Sequence, residues 1–229
     1  MKAHVIIVAA GSGSRFGSTL PKQFCELMGR PVLMHTVERL RSALPGAAMT
    51  LVLSRQMEDY WCELCRRHSF DSPRIVHGGA TRSESVRNAV GAISDAPEVV
   101  LVHDGARPLV DAACVHAVME AMADCDIDGA IPVVAVSDSL RRIHTDGGAS
   151  DAVDRTMFRA VQTPQAFRYD KLSMAYAADG ALDFSDDASL MEYCGYGKIV
   201  LTDGSSSNIK ITNPADLAVA GCILAMQMQ

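Results

Sequence analysis

Positive charge is in short supply. Lys and Arg number 21 against 27 Asp and Glu, a formal net charge of −6, which gives no general attraction to nucleic acid. An anionic ligand therefore needs a local cluster of Arg and Lys rather than a basic surface. The first apolar run, Val5 to Ala10, is too short to span a membrane, and glycines rather than a cleavage site follow it. It reads as a first buried strand, and a cytoplasmic protein without a membrane partner is the expectation. The seven cysteines are odd in number and scattered, which suits reduced thiols better than a disulfide framework. Cys62 and Cys65 form a C-x-x-C, but no second pair stands at metal-ligand spacing and the surrounding pattern is helical. They read as core or surface thiols. Repeats and low-complexity tracts are absent too.

What is present is apolar bulk. Hydrophobic residues make up 48% of the 229 and charged residues 21%, enough for a sizeable core and too few charges for a disordered chain. Short apolar runs at Val5–Val8, Met49–Leu53, Val99–His103 and Ala130–Val136 alternate with helical patterns at Pro31–Ser42, Met57–Ser69, Ser83–Ile93 and Ala112–Ala123. Continuous apolar strands are buried on both faces. The alternation predicts an α/β fold with a mostly parallel sheet and helices on both faces, in which ligands bind at the carboxyl ends of the strands. Residues 1–229 are expected to form one domain. Asn213 with Pro214 opens a last helix, Pro214 to Met228.

One polar stretch, Ser137 to Phe158, breaks the pattern around the turn Asp146-Gly147-Gly148. It reads as a small protruding β-arm over 137–158. Such an arm buries little of its own surface and is expected to pack on a second copy, giving a homodimer; a surface loop is the alternative.

After the first strand comes Ala9-Ala10-Gly11-Ser12-Gly13-Ser14-Arg15-Phe16-Gly17, then Pro21-Lys22-Gln23. Small residues let backbone N–H groups approach a phosphate, and Arg15 and Lys22 bring two cations, as a triphosphate requires. Two familiar phosphate loops fail here. Phe16 stands where the dinucleotide fingerprint needs its third glycine, and the second strand ends at Ser54-Arg55 without a ribose-holding acid. No Walker Gly-Lys-Ser/Thr occurs. A nicotinamide-dependent oxidoreductase is therefore a weak alternative.

Further stations lie along the chain. In His77-Gly78-Gly79-Ala80-Thr81-Arg82-Ser83-Glu84-Ser85 the glycines leave backbone groups open to a base edge, and Ser85 offers a hydroxyl to a base or ribose. On local pattern alone a capped helix start, with Thr81 or Ser83 as cap, is the simpler reading. Asp104 ends the apolar strand Val99–His103, a natural Mg²⁺ position, with Arg107 three residues on to pair with it or meet ligand. His103 reads as structural. Arg155, at the end of the arm, is a bidentate donor suited to a phosphate monoester. Ser185 reads as the N-cap of a helix with acidic residues in its first turn. Lys210, on a short strand between Ile209 and Ile211, should point away from the core towards a pocket.

The glycine loop with Arg15 and Pro21-Lys22-Gln23 resembles the signature of sugar nucleotidyltransferases. Within that group it is most similar to the 2-C-methyl-D-erythritol 4-phosphate cytidylyltransferase family, and the resemblance runs along nearly the whole chain. It implies a Rossmann-like three-layer fold and a reaction of CTP with a polyol phosphate, with Mg²⁺ (other divalent metals left open) and release of pyrophosphate. It implies that Ala10, Gly11, Gly13, Gly79, Ala80 and Ser85 hold the nucleotide. Arg15, Lys22, Arg155 and Lys210 act in catalysis, Asp104 carries the metal, and Arg107, Ser139, Thr163 and Ser185 meet the substrate. Arg155 and Ser139 would reach from the arm into the partner's site, and Gln162-Thr163-Pro164-Gln165 would close one side of the pocket. This chain has Gly105 where the family mostly has alanine, and serine at 139 and 185 where it commonly has threonine. It also has Ser207 where an acid is frequent, with Asp203 as the nearest replacement. A related ribitol 5-phosphate cytidylyltransferase keeps the chemistry and changes the acceptor. A non-catalytic nucleotide binder is a third reading, and the full set of cations argues against it.

Overall fold

In the computed structural model of the protein, residues 1–11, 16, 20–145, 148–178 and 184–227 are described. In chain order the elements begin with β1 (Ala3–Val8), β2 (Glu26–Leu27), β3 (Arg30–Pro31), α1 (Val32–Ala43), β4 (Ala48–Leu53), α2 (Glu58–His68), β5 (Arg74–His77) and α3 (Arg82–Gly91). They continue with β6 (Val99–Asp104), α4 (Ala112–Ala121), β7 (Gly129–Ala135), β8 (Leu140–Ile143), β9 (Ser150–Val153), β10 (Arg159–Val161) and β11 (Gln165–Arg168). The last are α5 (Tyr169–Ala178), α6 (Asp187–Tyr193), β12 (Ile199–Asp203) and α7 (Pro214–Gln227).

The central sheet runs β10-β7-β11-β6-β1-β4-β5, with β12 added to β7. β1 pairs in parallel with β4 and β6, and β4 with β5. β1, β4 and β6 read as largely apolar runs because both faces are covered. Along β1, Val5 and Ile7 join one core with Leu33 and Val37 of α1, Trp61 of α2 and Val118 of α4. Ile6, between them, joins the other with Val86 of α3, Leu172 of α5 and Met191 of α6. Alternate residues of a strand point to opposite faces, so the result is three layers, helices on either side of a sheet. Each large side chain so buried contributes roughly 1.5–3 kcal/mol, which is why these runs carry no polar alternation.

Two features depart from the expected pattern. β11 enters between β6 and β7 antiparallel to both, so the sheet is mixed. Lys210 does not lie on a strand: 208–212 is irregular backbone, tied down where Ile211 N–H donates to Ala106 O. Its side chain still faces out between a half-buried Ile209 and a fully buried Ile211, which packs with Leu27 of the small β2–β3 hairpin and Leu224 of α7. That hairpin turns on Met28 and Gly29, both at positive φ, the conformation a two-residue hairpin loop demands.

The arm is present as the antiparallel pair β8–β9; the turn residues Asp146 and Gly147 lie outside the described residues. C-x-x-C lies on α2, with free thiols at Cys62 (exposed) and Cys65 (buried); burial pushes the Cys65 thiol up to about 11. Asn213 caps α7 as expected, its Oδ1 accepting from Asp216 N–H. Among the described residues no helix is long and apolar enough to cross a membrane.

Candidate active site

A cleft of about 490 Å³ opens at the carboxyl ends of β1, β5 and β6, where open α/β sheets place their ligands. Its floor is Val8 to Gly11, immediately after β1, with Lys22 and Gln23 beside it. Gln23 is what shapes this floor. Buried, it donates from Nε2 to Ala9 O at 2.7 Å and Gly11 O at 3.0 Å, so the turn carrying Lys22 is bolted to the start of the glycine loop. Arg15 and Gly13 lie outside the described residues.

The second wall is Gly79 to Arg82 with Ser85. Thr81 caps α3, accepting from Glu84 N–H at 3.1 Å, while Glu84 reaches back to accept from Ala80 N–H at 2.6 Å. This is close to the reciprocal capping box that Thr-x-x-Glu encodes. Ser85 braces the loop from within: its Oγ accepts from Gly79 N–H and donates to Thr81 O. Gly78 permits the contact between the two walls, since a Cβ there would meet Ala10 Cβ at 2.4 Å.

Asp104 and Lys210 complete the cleft with Ala106 and Thr212. Asp104 is 8% exposed. Its Oδ2 accepts from Lys210 Nζ at 3.0 Å and Arg107 Nε at 3.2 Å, while Oδ1 meets no donor among the described residues. Burial alone would raise this carboxyl's pKa; Lys210, Arg82 and Arg107 overcome that and hold it well below the usual carboxylate range. Arg107 also donates to Asn208 O at 2.8 Å, so it ties the β6 end to the Lys210 segment.

Behind Asp104 runs a chain of hydrogen bonds. Thr163 Oγ1 accepts from Asp104 N–H at 3.1 Å and donates to His103 Nδ1 at 3.0 Å; His103 Nε2–H donates to Arg107 O at 3.2 Å. That order suits a neutral imidazole, and burial favours it, lowering the His103 pKa from 6.5 to about 4. His103 is structural, as read from the sequence. Since the unfolded chain takes up the proton first, this contribution to stability is complete above pH 6.5 and is lost as pH falls through about 4. The unfolding free energy should therefore drop across that window, with about 3 kcal/mol from His103. Denaturant melts of the wild type and His103→Gln at about pH 7 and about pH 4.5 check this; an equal drop in both would clear His103 of the effect.

Of the residues singled out in the sequence, Ala10, Gly11, Lys22, Gly79, Ala80, Ser85, Asp104 and Lys210 meet in the cleft. Arg107 and Thr163 lie beneath it, holding Asp104. Arg155 and Ser139 do not line it; they are exposed on and beside the arm, where Arg155 Nη1 donates to Ser137 O. Ser185 is exposed, is not among the lining residues, and does not cap α6. The cap is Asp186, whose Oδ1 accepts from Ser189 N–H at 3.1 Å; a carboxylate satisfies the free N–H groups there. Asp203 ends β12 and does not line the cleft. Gly105 is tighter than compactness alone suggests, since a Cβ would lie 2.9 Å from Ala9 Cβ. Gln23, Thr81, Arg82 and Thr212 are cleft residues to which the sequence reading gave no ligand role. Only Gln23 had a signal, its place in Pro-Lys-Gln.

The model of one family, 2-C-methyl-D-erythritol 4-phosphate cytidylyltransferase, matches residues 3–226. The chain belongs to that family. It is an enzyme, a CTP-dependent cytidylyltransferase of non-mevalonate isoprenoid biosynthesis. A cytidylyltransferase of the same description from Bacteroides thetaiotaomicron is 44% identical over 225 residues, covering 98% of this chain and 100% of the relative. Among solved structures, 4-diphosphocytidyl-2C-methyl-D-erythritol synthase from Anaerococcus prevotii superposes with a TM-score of 0.82 at 26% identity. It covers 98% of this chain and 96% of that one. The cytidylyltransferase from Thermus thermophilus gives 0.73 at 30% identity, covering 96% and 98%. Membership of the cytidylyltransferase family gives the cations of the cleft a reason: a triphosphate and a phosphate monoester must be brought together against their mutual repulsion.

Proposed function

We propose that the cleft between the glycine loop and Asp104 joins the cytidylyl group of CTP to 2-C-methyl-D-erythritol 4-phosphate. The observation that carries this reading is the convergence of Lys22, Asp104 and Lys210 on one cleft from three distant parts of the chain. An oxygen of the acceptor's phosphate attacks the α-phosphorus. A new P–O bond forms, the bond to the β-phosphate bridge breaks, and pyrophosphate leaves. The attacking oxygen is already anionic at neutral pH, so no general base is required. Positioning and charge stabilisation do the work. Lys22, with Arg15, neutralises the triphosphate and the charge that builds on the leaving group. Lys210 and Arg155 hold the acceptor's phosphate in line. Gly79, Ala80 and Ser85 take the base side.

The donor set suits one divalent ion. Mg²⁺ prefers one or two carboxylates together with substrate phosphates, and Asp104 offers Oδ1 while its other oxygen is engaged by Lys210 and Arg107. No group of three His, Cys, Asp or Glu gathers among the described residues; substrate phosphates and water would supply the remaining ligands. When bound, Mg²⁺ would polarise the phosphate oxygens and offset their charge.

Residues 1–229 are read as one nucleotidyltransferase domain whose 137–158 arm meets a second copy, bringing Arg155 and Ser139 to the partner's cleft. The exposed apolar side chains of Ile143 (71%), Met157 (80%), Phe158 and Val161 on and next to the arm support an interface there.

The test is magnesium-dependent pyrophosphate release from CTP, with methylerythritol phosphate and ribitol 5-phosphate offered separately. Release with the first alone is expected. Release with ribitol 5-phosphate alone would overturn the acceptor, and silence with both in protein that binds CTP would overturn the reaction.

A further inference from the structure

Lys210 reaches the cleft from irregular backbone, and its side chain is 43% exposed. A flexible four-carbon stem carries the ammonium, so the backbone beneath has to deliver it. Downstream, Ile211 N–H donates to Ala106 O at 2.9 Å. Upstream, the chain leaves the sheet where β12 ends at Asp203, after a last bond from Gly204 N–H to Val133 O at 2.9 Å. The carboxamide of Gln162 receives it there. Nε2 donates to Ser205 O at 2.9 Å, and Oε1 accepts from Ser205 N–H at 3.1 Å. This is the exchange of two bonds that an antiparallel neighbour would make, here made by a side chain. Oε1 also accepts from Asn208 Nδ2 at 3.4 Å. The fit is close: a Cβ on residue 204 would stand 2.6 Å from Oε1 and 3.0 Å from Val133 O, so glycine is what lets the turn lie against the amide.

Gln162 is 6% exposed and is not among the residues that line the cleft. Among the described residues its side chain bonds only to Ser205 and Asn208, so its task is to hold that turn. Asn208, fully buried, passes the constraint on. Its Nδ2 donates to Thr163 O at 2.9 Å, and its carbonyl accepts from Arg107 Nη1 at 2.8 Å. Thr163 and Arg107 are the residues that hold Asp104. Lys210 follows two residues on, with Nζ 3.0 Å from Asp104 Oδ2. We propose that Gln162 is a positioning residue for the reaction: it fixes the 204–208 turn so that Lys210 stands beside Asp104 and meets the acceptor's phosphate in line. This rests on the reading of the cleft given above. Gln162 touches no reacting atom, yet a shift of about 1 Å in a group that aligns the reactants costs rate steeply.

The experiment compares wild type, Gln162→Met, Lys210→Ala and the double variant in magnesium-dependent pyrophosphate release from CTP and methylerythritol phosphate. Methionine keeps the length and bulk of glutamine and removes its hydrogen bonds. Gln162→Met should lose about 10- to 100-fold in kcat/KM for the acceptor, while its KM for CTP stays within about twofold of wild type. In the Lys210→Ala background the same change should cost less than about twofold, because a residue that acts through Lys210 then has nothing left to position. Losses that multiply in the double variant overturn the inference, as does a Gln162→Met enzyme with wild-type kinetics. A KM for CTP that rises in step with that for the acceptor also overturns it, since a general loosening of the fold would do the same. Should Gln162→Met not fold, Gln162→Glu takes its place in the same cycle, judged by the same outcomes. The carboxylate still accepts from Ser205 N–H and no longer donates to Ser205 O. A Lys210→Ala enzyme as active as wild type would sink the reading of the cleft itself, whereas a disabled Lys210→Ala beside multiplying losses sinks only this inference.

Discussion

Lys22→Ala should lower the rate of pyrophosphate release by roughly 10²–10³-fold while CTP affinity changes much less. Lys22 stands on the cleft wall in a short turn that begins at Pro21. The neighbouring Gln23 anchors this turn to Ala9 O and Gly11 O. In the ground state the triphosphate's charge is shared among several oxygens and partly met by metal and solvent. As the bond to the leaving group breaks, charge concentrates on pyrophosphate, and a fixed cation gains most at that moment. Steady-state kinetics separate the cases: a loss in affinity for CTP with unchanged kcat would make Lys22 a ground-state contact.

Asp104→Asn should abolish most activity, by at least about 10²-fold, and should also destabilise the fold. The amide keeps the shape and loses the charge. Arg107, whose side chain is 11% exposed, would then be a buried cation without its carboxylate, a change that costs up to about 3–5 kcal/mol. Lys210 is 43% exposed and water would cover most of its loss. A net cost near 3 kcal/mol lowers the melting temperature by about 6–12 °C for a chain of this size. Thermal melts and activity titrated against Mg²⁺ read the two effects. An unchanged melting temperature would mean that Arg107 finds another partner, and full rescue by excess Mg²⁺ would reduce Asp104 to a weak metal contact.

Much of this architecture is visible in the sequence because it rests on short-range signals. The apolar runs of β1, β4 and β6 follow from burial on both faces, and the helices between them from spacing. Asp104 could be placed because a carboxylate ends the largely apolar strand Val99–His103. The glycine loop with Pro-Lys-Gln stood out in the sequence, and the structure brings its Ala10, Gly11 and Lys22 to the cleft. What could not be read depends on partners far along the chain. β11 is short and takes its direction only from the edges of β6 and β7 that it fills. Ser185 and Asp186 are both good caps by type, and only the backbone path at α6 chooses the carboxylate. Lys210 was found by its alternation with two isoleucines, although no strand forms there. Arg82 and Asp187 are 105 residues apart; no local pattern pairs them, and Arg82 looks like any exposed charge in the first turn of a helix.

The cleft draws on Ala10, Lys22, Gly79, Asp104 and Lys210, so its members meet only when β1, β5, β6 and the segment before α7 are all in register. No partly folded chain presents the full set. A nucleotide that needs all of them binds the native state and not its precursors, and mass action then turns that preference into stability. With CTP bound in the proposed cleft, the nucleotide pool would hold more of the chain native, and its depletion would withdraw that protection and the reactant together.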